Sequence, residues 1–306
     1  MRIFDAHVHL FDRDANTHPF LEHEDPGFKA IAGDYSSLPR AYLTTDYLSD
    51  AASYEVEGFV LYEFLSTDPI KEARWAQQLA QSPNPRKPAL RQPIVASVDF
   101  LDPALEARLE TYAALPNVVA VRQHLGYDTN NPLRHFATRA GLLSDPAWQR
   151  QLATLRKYRF NCILELFAPQ LSGLPALLNL YPDINFSLAV LGWPLDLREA
   201  GFNLWRTQLH RISQHKNLSI EIAALECIFG MQWQAKDVAP WIQSAIDLFG
   251  PTRIMFGSHS PIVRLSRGIP HLYTFYNQLT QTLSPTDRDN MFRKNAAQWF
   301  QRSPPR

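Results

Sequence analysis

Two imidazoles stand two residues apart near the start of the chain, in Arg2-Ile3-Phe4-Asp5-Ala6-His7-Val8-His9-Leu10-Phe11. The apolar residues mark a mostly buried strand. Side chains alternate across a strand, so His7 and His9 share a face, roughly 6.5–7 Å apart. Rings so placed reach one metal ion or one reactive group at the strand's end, and such nitrogen donors suit zinc, iron or nickel. The other reading of His-x-His is two histidines hydrogen-bonded in a polar barrel mouth, and the motif alone does not decide. Arg122 and His124 repeat the two-residue spacing. Glu63, Asp99, Glu165, Glu221 and His259 also fall within or at the end of apolar runs, where charge is costly without a partner.

The elements that must carry these residues follow a regular rhythm. After the first strand, residues 12–45 contain His18, Pro19, Pro26, Gly27, Gly33, Asp34 and Pro39 with little periodicity, a long insertion of the kind that forms lids or site walls. A short helix is predicted over 46–54 with Thr45 as its N-cap. Strands are predicted over 58–65, 94–100, 117–125, 160–167, 184–191, 218–224 and 253–257. Helices are predicted over 68–81, 102–114, 145–158, 169–180, up to 214, 238–249, 269–283 and 285–301. Asp68-Pro69, Asp102-Pro103 and Asp145-Pro146 are capped starts with proline in the first turn. A proline-rich link, 82–88, joins the second helix to the third strand.

Eight apolar strands, each followed by a helix with no linker dividing the chain, predict a single α/β domain over 1–306, a parallel (β/α)8 TIM barrel with a C-terminal helix. An open doubly wound sheet is disfavoured because no glycine-rich phosphate loop follows the first strand. The 306 residues are 45% hydrophobic, enough for one large core. Thirty basic and 30 acidic side chains cancel, which gives no electrostatic reason to expect nucleic acid or an anionic membrane as partner. The expected partner is a small-molecule substrate, bound by the single chain or a homo-oligomer. No apolar run spans a membrane, no signal peptide is expected, and Cys162 and Cys227 read as buried free thiols in a reducing cytoplasm.

In a barrel the strand C-termini face the active site. That mouth is predicted to gather His7, His9, Glu63, Asp99, Arg122, His124, Glu165, Glu221 and His259, too many charged groups for packing alone. Most of Trp193, Trp205, Phe229, Trp233 and Phe256 fit barrel–helix packing; Trp193 and Trp233 are the predicted pocket walls.

Phe4-Asp5-Ala6-His7-Val8-His9-Leu10 resembles the first-strand motif of the amidohydrolase superfamily. The closer likeness is to its amidohydrolase-related (amidohydrolase 2) branch, which includes fuconolactonase- and pyrone-dicarboxylate-lactonase-type enzymes. Tyr42-Leu43 through Asp50, Asp68-Pro69 through Trp75, Val121-Arg122-Gln123-His124 and Pro169-Gln170-Leu171 continue it. So do Gly192-Trp193-Pro194, Phe249-Gly250-Pro251 through Ser258, and Asn295-Ala296. The resemblance implies a (β/α)8 barrel and a hydrolase, with one divalent, zinc-like metal on His7 and His9; metal-free catalysis is the alternative within this branch. Three departures stand out. Ala189-Val190-Leu191-Gly192 lacks the strand-six His, His259 replaces the usual strand-eight Asp, and Glu221 stands where lysine is common.

Opening a lactone needs a base to activate water and donors or positive charge for the oxyanion. His259 is the candidate base, since a free imidazole titrates near ~6.5. Arg122 is a candidate clamp for a substrate carboxylate, and His124 a donor to the oxyanion. Glu63, Glu165, Glu221, Trp193 and Trp233 complete the expected substrate site. Two other outcomes fit the departures: a divergent lyase, decarboxylase or isomerase acting on a small carboxylated substrate, and a catalytically silent barrel that binds a small molecule or protein.

Overall fold

The computed structural model describes residues 1–82, 87 and 89–302; most of the proline-rich link lies outside them. Eight parallel strands run in sequence order around one sheet. They are β1 (Arg2–His9), β2 (Glu55–Tyr62), β3 (Ile94–Ser97), β4 (Val118–His124), β5 (Asn161–Glu165), β6 (Phe186–Leu188), β7 (Leu218–Ile222) and β8 (Ile254–Phe256). The strands interlock in register, with His9 opposite Tyr62 and His124 opposite Glu165. Closure falls to the segment after β8: His259 N donates to His7 O (2.8 Å) and His9 N donates to Ser260 O (2.7 Å). The expected (β/α)8 barrel is the observed one.

Asp5 fastens that seam. Fully buried, its carboxylate accepts from Ser258 N (2.7 Å), Tyr47 Oη (3.0 Å) and His7 N (3.2 Å), so one side chain ties β1 to the β8 turn. Burial pushes Asp5 up to about 6 despite these donors. Gly257 is needed beside it, because a Cβ there would lie 2.8 Å from His7 Cβ.

Capping explains which helix boundaries were foreseeable. Asp68 accepts from Lys71 N (3.0 Å) ahead of the helix Pro69–Gln81, and Asp145 accepts from Ala147 N (2.6 Å) ahead of Pro146–Gln151. Elsewhere local geometry intervened. The run expected as one helix over 145–158 breaks into Pro146–Gln151, a 3₁₀ turn Leu152–Thr154 and Leu155–Tyr158. Asp102 caps a turn, accepting from Ala104 N (2.8 Å), so that helix begins at Leu105. Thr45 lies inside the helix Thr44–Asp50 rather than capping it; Asp46 accepts from Leu43 N (2.8 Å) instead. The insertion after β1 contains two short helices, Pro19–Glu22 and Pro26–Ala32, and a small antiparallel strand pair, Phe11–Asp12 with Ala41–Tyr42.

One buried acid beneath the barrel mouth carries a stability prediction. Glu72 is 4% exposed, and one of its oxygens accepts from Phe64 N (2.7 Å). Burial and the nearby Glu63 charge push it up to about 8. The folded state therefore keeps a proton that the unfolded chain releases near pH ~4.3. Stability from this group is complete below that value and is lost as pH rises toward 8. Glu72→Gln should match the native protein near pH 4.5 and melt several degrees higher at pH 8, as read by thermal unfolding across that range.

Candidate active site

The strand C-termini open onto a cavity of about 560 Å³. At its floor β1 presents His7 and His9, whose Nε2 atoms are 3.2 Å apart. Their outer nitrogens are tethered. His7 Nδ1 faces Glu221 Oε2 (3.3 Å), and His9 Nδ1 faces the carbonyls of Glu63 (3.1 Å) and Tyr62 (3.3 Å). A carbonyl only accepts, so His9 carries its proton on Nδ1 and leaves Nε2 bare; an ionised Glu221 would give His7 the same tautomer. Burial and mutual repulsion hold both rings well below the ordinary imidazole range, so both are neutral at neutral pH.

His259 supplies the third ring, 5.2 Å centroid to centroid from each of the others. Its Nδ1 donates to Glu226 Oε1 at 2.7 Å, leaving Nε2 as the free lone pair. The three histidines bring ligand nitrogens within 4.8 Å of one another. Three imidazole nitrogens gathered in a buried space, two of them 3.2 Å apart, form a candidate cation site. Each ring is turned by an oxygen acceptor behind it, as metal-ligating imidazoles are. The residues present fit a zinc-like ion with three protein nitrogens.

Beside this trio, β4 and β5 hold a closed set of charges. Arg122, 3% exposed, donates to Glu63 Oε1 through Nε (2.9 Å) and Nη2 (2.5 Å), and to Glu165 Oε2 through Nη1 (2.5 Å). His124 Nδ1 donates to Glu165 Oε1 (3.0 Å), and its Nε2 stands 3.3 Å from Glu63 Oε1, an ion-pair distance without hydrogen-bond alignment. Burial opposes charge throughout, yet the partners prevail. Glu165 falls to about 2, Glu63 lies well below the carboxylate range, and His124 rises to about 9. His124 is therefore protonated at neutral pH, its ring lining the cavity while its nitrogens face Glu165 and Glu63.

Glu221 lies one layer deeper than expected. Wholly buried, it accepts from Tyr62 Oη (2.5 Å) and Ser187 Oγ (2.7 Å) as well as facing His7, and it does not line the cavity. Burial pushes it up to about 7 against those hydrogen bonds. It positions a ring rather than a substrate. Glu63 is likewise behind the wall, held by Arg122, while Glu165 reaches the cavity. Asp99 is exposed and turned away, capping a turn at Leu101 N (2.9 Å) and accepting from Gln123 (3.0 Å). Trp193 lines the cavity as expected. Trp233 does not: it folds against Phe275 (5.0 Å) and His271 (5.4 Å).

Three participants escaped sequence reasoning. Glu226 hid in Leu225-Glu-Cys-Ile-Phe, an apolar run that forms the short helix Leu225–Phe229. Cys227, expected as a buried thiol, is half-buried on the cavity wall 3.9 Å from His259 Nδ1, and burial beside Glu226 keeps it protonated. Tyr62, apparently one more apolar strand residue, stacks on His7 (3.8 Å, 4°) and lies beneath the Arg122 guanidinium (5.1 Å).

Backbone strain gathers here too. Leu65, Val190, Leu191, Trp193, Ala224 and His259 all have positive φ and all follow barrel strands. Such conformations cost ~1–3 kcal/mol each and persist where surroundings enforce them. Trp205 Nε1 bonding Leu191 O (2.9 Å) and Ala168 N bonding Trp193 O (3.0 Å) hold the turn that aims Trp193 inward.

Comparison with known proteins gives a consistent picture. The family model described as amidohydrolase (Amidohydro_2) matches residues 4–302. The uncharacterized protein y4mH of Sinorhizobium fredii is 26% identical over 301 residues, covering 97% of this chain and 98% of y4mH. An amidohydrolase from Burkholderia multivorans superposes in two crystal forms. The form with bound HEPES has a TM-score of 0.78 at 17% identity, and the form with bound zinc 0.76 at 19%; each covers 98% of this chain and 99% of the other. A putative 2-pyrone-4,6-dicarboxylic acid hydrolase from Pseudomonas putida has a TM-score of 0.69 at 17% identity, covering 97% of both chains.

Proposed function

The chain belongs to the amidohydrolase family, and from that premise we propose that it is a metal-dependent hydrolase that opens a small cyclic ester. The observation that carries this is the convergence of three bare imidazole nitrogens, of His7, His9 and His259, on a cavity floor beside protonated His124. These three would hold the ion. When bound, a zinc-like ion supplies Lewis acidity and makes water a nucleophile near neutral pH. The zinc in the Burkholderia multivorans structure is consistent with this assignment.

The reaction forms a bond from water oxygen to the ester carbon, breaks the ring C–O bond, and leaves a carboxylate and an alcohol. This chain's residues supply orientation and electrostatic stabilisation. Glu221, Glu226 and the Glu63 carbonyl turn the three rings inward. His124 lines the cavity as a cation whose nitrogens face Glu165 and Glu63, so it lends positive potential as negative charge develops on the carbonyl oxygen, while solvent protonates the departing alkoxide. Glu165 and Arg122 keep that ring charged and fixed. His259, expected as the base, serves here as third ligand. Arg122 is committed to Glu63 and Glu165, so a decarboxylase reading would have to seat the substrate carboxylate on the ion instead.

Elemental analysis of protein purified without added metal, paired with a lactone panel followed by pH-stat, tests the reading. One metal per chain is expected, with hydrolysis of at least one neutral lactone. His7→Ala with His9→Ala should remove both. A panel with no turnover by metal-loaded protein would sink the hydrolytic assignment.

A further inference from the structure

Resting on that reading of the site, we propose that the cavity selects an uncharged ester or lactone with a hydrophobic body and rejects substrates bearing a carboxylate remote from the reacting bond. Two independent features of the cavity converge on this.

The first is its wall. The insertion after β1 contributes Phe20 and Phe28, packed together at 4.5 Å. Phe64 follows β2, and Phe136 meets Trp193 at 5.5 Å on the opposite side. Aromatic and aliphatic side chains thus surround a volume of about 560 Å³, within the range of sites that enclose most of a small molecule. Each substrate methylene buried there should raise affinity roughly fourfold.

The second is the charge at its floor. Among the described residues lining the cavity, Arg122 is the one lysine or arginine, and both faces of its fork are occupied by Glu63 and Glu165. His124 is matched by the same two carboxylates. These two positive and two negative groups cancel, the ion on His7, His9 and His259 would be taken by the reacting ester, and no guanidinium or ammonium remains for a second, remote anion. Asp25, on the cavity lining, adds a further acid, held as the cap of Phe28 N (2.7 Å). A remote carboxylate would shed its hydration and meet no counter-charge. Arg122 therefore does not act as the substrate-carboxylate clamp that its residue type suggests.

Three γ-lactones test this on one ring: unsubstituted, hexyl-substituted, and substituted with a hexyl chain ending in a carboxylate, assayed above pH 6. The hexyl compound should exceed the parent in kcat/KM by at least about tenfold, and the carboxylated one should fall at least about tenfold below the hexyl. Equal or better turnover of the carboxylated lactone would overturn the proposal. Should no lactone be opened, the hydrolytic reading fails, and selectivity is decided by calorimetry with the matching tetrahydrofurans. Binding of the neutral hexyl compound over its acid then supports the proposal; preference for the acid, or no binding of either, overturns it. Leu133→Arg, at an exposed position on the cavity lining, should narrow the alkyl-to-carboxylate ratio, and an unchanged ratio would count against charge as the discriminator.

Discussion

Arg122→Met should destabilise the protein by about 3–5 kcal/mol, because it strips the partner from two buried carboxylates rather than removing a whole ion-pair set. For a chain of this size that is a fall in Tm of roughly 10 °C. The pH dependence identifies the cause. In the native protein Glu63 and Glu165 are held below their unfolded values, so the stability they contribute is present above pH ~4.3 and is lost as pH falls through the folded values. Without the guanidinium, burial acts on both acids, opposed by His124 and, for Glu63, by the Leu65 amide. Their pKa values rise, and the variant's deficit should be widest near pH 8 and shrink toward pH 4.5. Thermal unfolding of both proteins over that interval decides. A deficit below about 1 kcal/mol, or one that ignores pH, would mean that Arg122 does not hold the charges as its geometry indicates.

That network was half legible from residue order. Period-two spacing placed Arg122 with His124, and His7 with His9, on shared faces, and the β4–β5 register then set Glu165 opposite His124. Spacing along one strand says nothing of depth, however. Glu221 looked like another mouth residue, yet β7 runs on to Ile222 and Ala223 follows before the chain turns at Ala224, which leaves the carboxylate a layer below the cavity. Glu226 was invisible for a different reason: a left-handed residue, Ala224 at φ 56°, starts the short helix that bears it, and no pattern of apolar residues announces that. Trp233 shows the same limit. It does follow a strand, but Gly230 at φ 85° precedes it and the chain folds outward onto the helix Gly268–Leu279. The insertion was recognised as a wall, while its helices were not, since each is shorter than the span over which a helical period can be read.

His259→Ala should abolish hydrolysis, by a factor on the order of 10²–10⁴ or more, and its metal content tells what the ring does. As a third ligand, His259 leaves only His7 and His9 behind when removed, and two imidazoles hold zinc poorly against the usual three or four donors. Metal and activity should then disappear together. As a base alone, it would take activity and leave stoichiometric metal, and that result would return His259 to the role its residue type first suggests. Glu226→Gln refines the test because it leaves the ring in place. Glu226 is wholly buried with one oxygen on His259 and the other unpartnered, so its charge acts on that ring alone among the nearby imidazoles. Loss of a carboxylate behind a ligating imidazole typically costs 10–100-fold in metal affinity or activity. A drop of about that size in metal affinity, with an unchanged Tm for the metal-free protein, would join Glu226, His259 and the ion into one unit. An affinity left at the native value would break that chain at its outer link while leaving His7 and His9 as the seat of the metal.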